Sequence, residues 1–368
     1  MNTEKSEKNN LFENFYELKK NGTDIRTEII AGITTFLTMA YVLAVIPGFL
    51  KGAGIPDKGL YTSVCLISII GTLFHAFYSK LPVATAPGLG LTAFFASTVV
   101  GKMGYTWQQG LAAVTISGIL FILISFSKIR EIIIEGLPNN MKTAITVGVG
   151  LFIALIGLKS SGIVIAVDGG MYFGNLRDKS VILSIIGLLI MLILIAKNVK
   201  GALIISLIVT TLIGIPLGVT DLSHWRGFGL PGGIEDIFFK QDFVGIFGNG
   251  GALKGFINIV MIILTISLVD LFDNIGTILS VASKGNLYDE KGEVKNMKKA
   301  LLCDSVATTL SSFLGTTTTS TYLESTAGIS EGGKTGLAAL TTATLFFVSF
   351  FLSGIVSVIP GAATAPAL

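Results

Sequence analysis

The sequence predicts an all-α polytopic membrane protein, and three observations lead there. Only 13% of the 368 residues are charged, against about a quarter in an ordinary soluble domain. The apolar residues come in long uncharged runs, among them 81–101, 103–127, 180–196 and 201–220, comparable to the roughly 20 residues a helix needs to cross a bilayer. Two further segments of similar apolar character are interrupted by residues that break helices. A soluble protein with many core helices does not account for so many blocks of this length.

Taken in order, spans are predicted near 29–49, 61–79, 83–99, 108–127, 141–157, 180–196, 201–219, 256–281, 300–314, 316–329 and 337–359. Residues 1–27 are polar and lack an apolar stretch, so no cleavable signal peptide is expected. With this segment placed in the cytoplasm, the inner connections carry 17 Lys and Arg and the outer ones 9. That bias favours a cytoplasmic N-terminus. The connections 159–179 and 220–254 are longer and Gly-rich. After Lys334 no charge follows through Leu368, and "GAATAPAL" opens another apolar segment. A truncated chain is therefore expected, holding about eleven spans and a fragment.

The third and tenth spans are irregular. "VATAPGLGLTAFFAS" (Val83 to Ser97) places Pro87, Gly88 and Gly90 ahead of an apolar helical run. Pro removes a backbone donor and Gly loosens the chain, so one continuous helix is not expected. "GTTTTSTYLESTAG" (Gly315 to Gly328) is rich in Thr, whose β-branch favours extended backbone. Non-helical backbone at membrane depth survives only inside protein or along a cavity. Transporters place broken helices at corresponding positions of two inverted halves, with substrate between them. The two broken spans lie seven apart, which predicts a seven-plus-seven inverted repeat of 14 spans when complete. The expected organisation is a cytoplasmic segment 1–27, a first repeat 28–219, an extracellular connection 220–254 and an incomplete second repeat 255–368.

Charge inside these spans points to function. "SLVDLFDNIGT" (Ser267 to Thr277) carries Asp270 and Asp273 in the middle of a bilayer-length stretch. They are spaced i, i+3 and share one helix face. Two Asp at a lipid-exposed helix centre would cost about 5–7 kcal/mol, so they must face a polar interior. Glu324 sits in the tenth span under the same constraint. Such carboxylates accept hydrogen bonds from the N–H groups of a neutral polar ligand. They can also take up a proton. Asp304, near the start of its span, reads at least as well as a helix-terminal or packing residue. His75, near a span end, reads as packed or interfacial, and Cys65 and Cys303 as inert core thiols.

Other chemistry is excluded or weak. A net charge of +3 is too small to suggest nucleic acid. Two histidines, His75 and His224, leave no H-E-x-x-H zinc site. An intramembrane aspartyl protease needs Asp on two facing helices, whereas Asp270 and Asp273 share one. "GISEGGKT" (Gly328 to Thr335) matches the P-loop pattern letter for letter. The motif needs a strand before and a helix after in a soluble βαβ unit, and here a membrane span follows. It reads as a cytoplasmic turn.

The strings "EIIAGITTFLTMAYVL", "APGLGLTAFFA", "DLFDNIGT", "TYLESTAGISEGGKTGL" and "IPGAATAPAL" together resemble the AzgA-like purine permeases, nucleobase–cation symporters with the uracil-permease fold. The resemblance runs from about Thr27 to Leu368. It implies fourteen spans in a core and a gate domain, with short strands facing each other in the third and tenth. It also implies import of purine nucleobases (hypoxanthine and guanine, or adenine) with a proton across the cell membrane, without a cofactor. By the resemblance, Asp270 and Glu324 contact the purine, Asp273 is a second essential acid, and Gly90, Thr92 and Ala93 belong to the substrate site. The family usually has Asn where this chain has Thr92, a departure that bears on substrate choice. Asp270, nearer the midplane, is expected to hold the purine, and Asp273 to carry the coupling proton or to fix Asp270 through water. The expected partners are a purine, a proton and the bilayer, with homo-oligomerisation open. The alternatives are a same-fold transporter of uracil or xanthine, then a channel or an intramembrane enzyme.

Overall fold

The computed structural model describes residues 11–126, 139–167, 170–224, 227–229, 232–247, 252–290 and 292–368. The first ten residues of the N-terminal segment lie outside them, as do residues 127–138 with Lys128 and Arg130, Arg226 and Lys291. Among the described residues six helical stretches are long and apolar enough to cross a membrane, with three shorter apolar ones beside them. The apolar runs become α4 (Leu60–Phe74), α6 (Trp107–Phe126), α7 (Asn139–Ser160), α8 (Lys179–Ala196), α9 (Ala202–Leu217), α10 (Ala252–Gly285), α11 (Met297–Phe313) and α13 (Gly336–Ser349). A short α1 (Leu11–Phe15) precedes them.

The run at 29–49 divides into two helices, α2 (Ile25–Met39) and α3 (Val42–Gly52). Asp24 caps α2 by accepting from the Thr27 N–H at 2.8 Å. The helix relaxes at Ala40–Tyr41. There the Leu43 and Ala44 N–H groups bond three residues back, to the carbonyls of Ala40 and Tyr41. Such 3₁₀-type bonds tighten the turn, and Tyr41 is presented at the break. Further on, α4 continues into a π-turn, His75–Ser79, a feature frequent at functional sites.

Both interrupted segments consist of a strand followed by a short helix. In the first, β1 (Thr85–Pro87) precedes α5 (Leu89–Phe94), which runs on as a π-turn, Phe95–Val100. In the second, β4 (Thr319–Thr321) precedes α12 (Ser325–Ser330). The strands pair antiparallel, with Thr85 opposite Thr321, Ala86 opposite Ser320 and Pro87 opposite Thr319. Main-chain bonds extend the pair at both ends, from Gly88 N–H to Thr318 O and from Tyr322 N–H to Ala84 O, each 2.9 Å. Two segments that cannot continue as helices thus satisfy their backbone on each other, as membrane depth requires. The chain is not wholly helical elsewhere either. Within the connection 159–179, β2 (Val164–Val167) and β3 (Gly170–Phe173) form a second antiparallel pair. The Val-Ile-Ala-Val run fits a strand, and its shortness hid it among spans.

Helices cross closely where side chains are small. A Cβ on Gly118 of α6 would lie 2.6 Å from Thr309 Oγ1 of α11, and one on Gly328 of α12 would lie 2.4 Å from the Ala31 carbonyl of α2. Small residues at such crossings are the usual means of helix association in lipid.

The P-loop-like string ends α12 and turns into α13. It does bind an anion, but one from its own chain. Glu28 of α2 is fully buried, and its carboxylate accepts from the N–H groups of Lys334 (2.8 Å), Thr335 (3.2 Å) and Ala338 (3.1 Å). These amides lie at the N-terminus of α13, where unpaired donors and the helix dipole favour negative charge. Glu28→Ala would leave three amides without this acceptor, at about 1–3 kcal/mol for each that stays buried and unpaired. The variant is expected to melt at clearly lower temperature in detergent, with Glu28→Gln in between. An unchanged melting midpoint for Glu28→Ala would show that the contact does not hold α2 to α13.

Candidate functional site

A cavity of about 190 Å³ lies beside the strand pair. A void of about 150 Å³ is already large enough for benzene, so a small planar molecule fits. The cavity is where five elements meet: the α2–α3 break, the start of α5, α7 through Ile153, the middle of α10, and β4 with the residues just after it. Its polar lining includes Tyr41, Asp273, Thr277, Ser320, Thr321, Tyr322 and Glu324, and Gly90, Leu89 and Phe272 supply close backbone and apolar surface.

The Tyr41 hydroxyl donates to Glu324 Oε1 at 2.7 Å, across a sequence separation of 283 residues. The Tyr322 hydroxyl donates to the Pro87 carbonyl at 2.6 Å, which ties the end of β4 to the end of β1. Ser320 on β4 and Asp273 of α10 are neighbours on the cavity wall. Two carboxylates thus face one cavity between aromatic walls. Carboxylates accept N–H donors strongly, and aromatic rings offer flat apolar faces.

The sequence-predicted site residues divide between this cavity and the layer behind it. Gly90, Asp273 and Glu324 line it. Asp270 does not. It is fully buried, with Oδ1 accepting from Asn274 Nδ2 at 3.1 Å and Oδ2 from the Thr308 hydroxyl at 3.3 Å. The same Asn274 accepts from the Thr321 N–H at 2.8 Å. Asp270, expected on the ligand, thus lies in the layer behind the cavity, and Asp273, expected to carry the coupling proton or to fix Asp270 through water, borders it. The shared face of α10 meets two environments. Its Val269, Asp273 and Thr277 edge borders the cavity, and its Asp270 and Asn274 edge borders α11 and β4.

Thr92 and Ala93 are also behind the cavity. Both are fully buried. The Thr92 hydroxyl bonds the Gly88 carbonyl at 2.7 Å and shares a 2.5 Å hydrogen bond with Thr317 Oγ1. The first residues of α5, Leu89 to Leu91, reach the cavity, and the helix turns the next two away. Sequence reasoning missed Tyr41, Ser320 and Tyr322. Tyr322 and Ser320 lie beside Glu324 in an already suspect segment, a signal that could have found them. Nothing in the local sequence around Tyr41 marks it.

Broken membrane segments paired around a small polar cavity define a class, that of membrane transport proteins. The chain belongs to the Permease family (Xan_ur_permease), whose model matches residues 26–368. It is 39% identical over 360 residues to the adenine permease AdeP of Escherichia coli strain K12, an alignment covering 97% of this chain and 78% of that one. It is 41% identical over 359 residues to the guanine/hypoxanthine permease PbuO of Bacillus subtilis, covering 96% of this chain and 81% of that one. Among solved structures, the transmembrane domain of a cyanobacterium bicarbonate transporter, BicA, superposes with a TM-score of 0.68 at 18% identity, over 93% of this chain and 86% of that one. That likeness concerns the fold alone. The family resemblance read from the motifs is borne out.

The division into front and back is testable by labelling. Cys65 and Cys303 are both buried, so the native background is low. Gly90→Cys and Asp273→Cys are expected to react with a small, water-soluble methanethiosulfonate, and Ala93→Cys is expected to stay unmodified. Equal labelling of all three would place Ala93 on the cavity and refute the layering.

Proposed function

We propose that this protein is a secondary transporter that imports purine nucleobases, hypoxanthine and guanine or adenine, by proton symport. Purine transport rests on the adenine and guanine/hypoxanthine permeases to which the chain is about 40% identical along most of its length. The observation that carries the mechanism is the pair of carboxylates, Asp273 and Glu324, on one small aromatic-walled cavity. A purine is flat and uncharged and carries N–H donors on its edge. The carboxylates accept those donors, and Phe272 and Tyr322 flank the ring.

Proton coupling has a physical basis in the same pair. Two ionised carboxylates on one cavity repel each other. A proton entering with the base relieves that repulsion, and its release on the far side restores an empty, charged site. Tyr41 fixes the orientation of Glu324, and Asp270 holds Asn274 and so the backbone of β4. Thr92 acts on selectivity at one remove, through Thr317 and the Gly88 carbonyl.

A seven-plus-seven inverted repeat is supported by two strand-plus-short-helix segments that meet antiparallel, as two inverted halves would bring them. Core and gate domains, a cytoplasmic N-terminus and residence in the cell membrane complete the proposed architecture, the orientation resting on the Lys and Arg bias.

Asp273→Asn and Glu324→Gln are each expected to lower proton-driven uptake of labelled hypoxanthine or adenine on the order of ten- to a hundredfold, the value of a lost hydrogen bond to a charged group. Their membrane expression should be unchanged. Normal uptake in either variant removes that residue from the site. A wild-type protein that saturates with uracil or xanthine and ignores purines would overturn the substrate.

Thr92→Asn lengthens a buried side chain against Thr317 and offers an amide in place of a hydroxyl. It is expected to change the relative inhibition of hypoxanthine uptake by adenine and guanine a few-fold, at about 0.5–1.5 kcal/mol for one hydrogen bond. Superimposable competition profiles would show that Thr92 does not act on selectivity.

A further inference from the structure

The proposed transport reaction uses the carboxylates in front of the strand pair and leaves a buried charged group behind it. His75 and Asp304 are both fully inaccessible, with His75 Nε2 3.1 Å from Asp304 Oδ1. Asp304 also accepts from the hydroxyls of Thr85 (3.3 Å, to Oδ1) and Thr321 (2.8 Å, to Oδ2). Thr85 and Thr321 are the register partners of the β1–β4 pair. The carboxylate therefore clasps both strands from behind and accepts a further hydrogen bond from the imidazole. Three donors converge on its two oxygens.

The other ring nitrogen has an unusual partner. His75 Nδ1 lies 3.1 Å from Ser79 Oγ, one π-turn further on. That hydroxyl also lies 3.1 Å from the His75 main-chain carbonyl, to which it can donate, and it accepts from the Leu81 N–H at 3.3 Å. Ser79 has one hydroxyl proton and two acceptors for it. When the proton points to Nδ1, the imidazole is neutral and donates only through Nε2, to Asp304. When it points to the carbonyl, Nδ1 can carry a proton of its own and donate it to Ser79 Oγ. Both states leave every polar atom of the group paired, and one proton on Nδ1 together with a hydroxyl rotation separates them. An ordinary packed histidine needs only one of them.

We propose that His75 and Asp304 form a proton-holding site behind the strand pair, one that takes up and releases a coupling proton at His75 Nδ1 during the transport cycle. This rests on the reading of the protein as a proton-coupled transporter. Uptake adds one proton to Nδ1, the Ser79 hydroxyl turns to the His75 carbonyl, and Asp304 accepts from Nε2 before and after. The charge change is felt through Asp304 by Thr85 and Thr321, and so by the strands that border the cavity. The titratable groups around the site are Asp304, Cys303 and Lys299 on α11, Tyr78 and Lys80 on and just after the π-turn, Tyr16 beside Ala76, and Asp270 and Asp273 on α10, which act on Asp304. The segment Gly336–Ser349 of α13, which packs on the π-turn, carries none, nor does α6.

The test uses the purified protein in proteoliposomes, with hypoxanthine and adenine as probes and two assays: accumulation under an imposed proton gradient, and counterflow without one. The wild type must accumulate purine with the gradient. If it does not, proton symport fails as a reading, independently of His75. Given that, His75→Gln is expected to lose accumulation by about tenfold or more, the scale of a typical coupling, while counterflow persists. Ser79→Ala keeps the ring and removes the Nδ1 partner. Because a charged donor loses more than a neutral acceptor, the pH midpoint of accumulation should move toward acid in this variant. Accumulation by His75→Gln with the wild-type pH profile overturns the proposal. So does loss of both assays in His75→Gln together with a wild-type pH profile in Ser79→Ala, which would mark a purely structural role.

Discussion

The constraint on which the rest depends is the backbone of two short strands at membrane depth. Pro87 has no N–H, and the Thr run before Glu324 is a poor helix. Neither segment can satisfy its own main chain, and lipid offers no substitute. The antiparallel match of Thr85–Pro87 with Thr319–Thr321 solves both problems at once. It also constrains the neighbouring elements. The strands must be enclosed by helices, α5 and α12 must start beside them, and the side chains of a two-stranded sheet must point to opposite sides.

That alternation organises the polar residues into two layers. Ser320 turns toward Asp273 and the cavity. Thr319 and Thr321 turn toward α11, where Thr308 and Asp304 receive them. Hydroxyls serve this purpose well, because each can donate to a carboxylate and accept from the main chain. The Thr308 hydroxyl does both, donating to Asp270 and accepting from the Thr319 N–H. A sheet of three residues per strand is thereby held by side chains from α10 and α11 as much as by its own ladder. Two Asp residues one helix turn apart consequently meet different surroundings, one the cavity and one the scaffold.

Charge elsewhere obeys the same logic of internal pairing. Glu28 fills a cradle of amides that a soluble nucleotide-binding protein would offer to phosphate. The similarity to a P-loop is chemical as well as literal, but the position is taken. At a neighbouring turn, Lys200 pairs with Glu331, a contact exposed enough to contribute little on its own.

The sequence by itself determined the membrane class, the helical runs and the two segments that could not be helices. Those features depend on local composition: uncharged length sets a span, and Pro, Gly and Thr interrupt it. It also singled out Asp270, Asp273 and Glu324, since carboxylates in apolar runs are costly wherever the helices go. Tertiary structure decided which of them border the cavity. A step of three residues along α10 is a small rotation, and only the placement of α11 and β4 says which edge of the face meets a cavity. The same holds for Tyr41, which nothing nearby in sequence connects to Glu324, and for His75 and Asp304, which read singly as packing residues. Their pairing exists only because α4 and α11 bring together residues 229 positions apart, and the energy of a buried charge depends on its neighbours in space, which sequence order does not give.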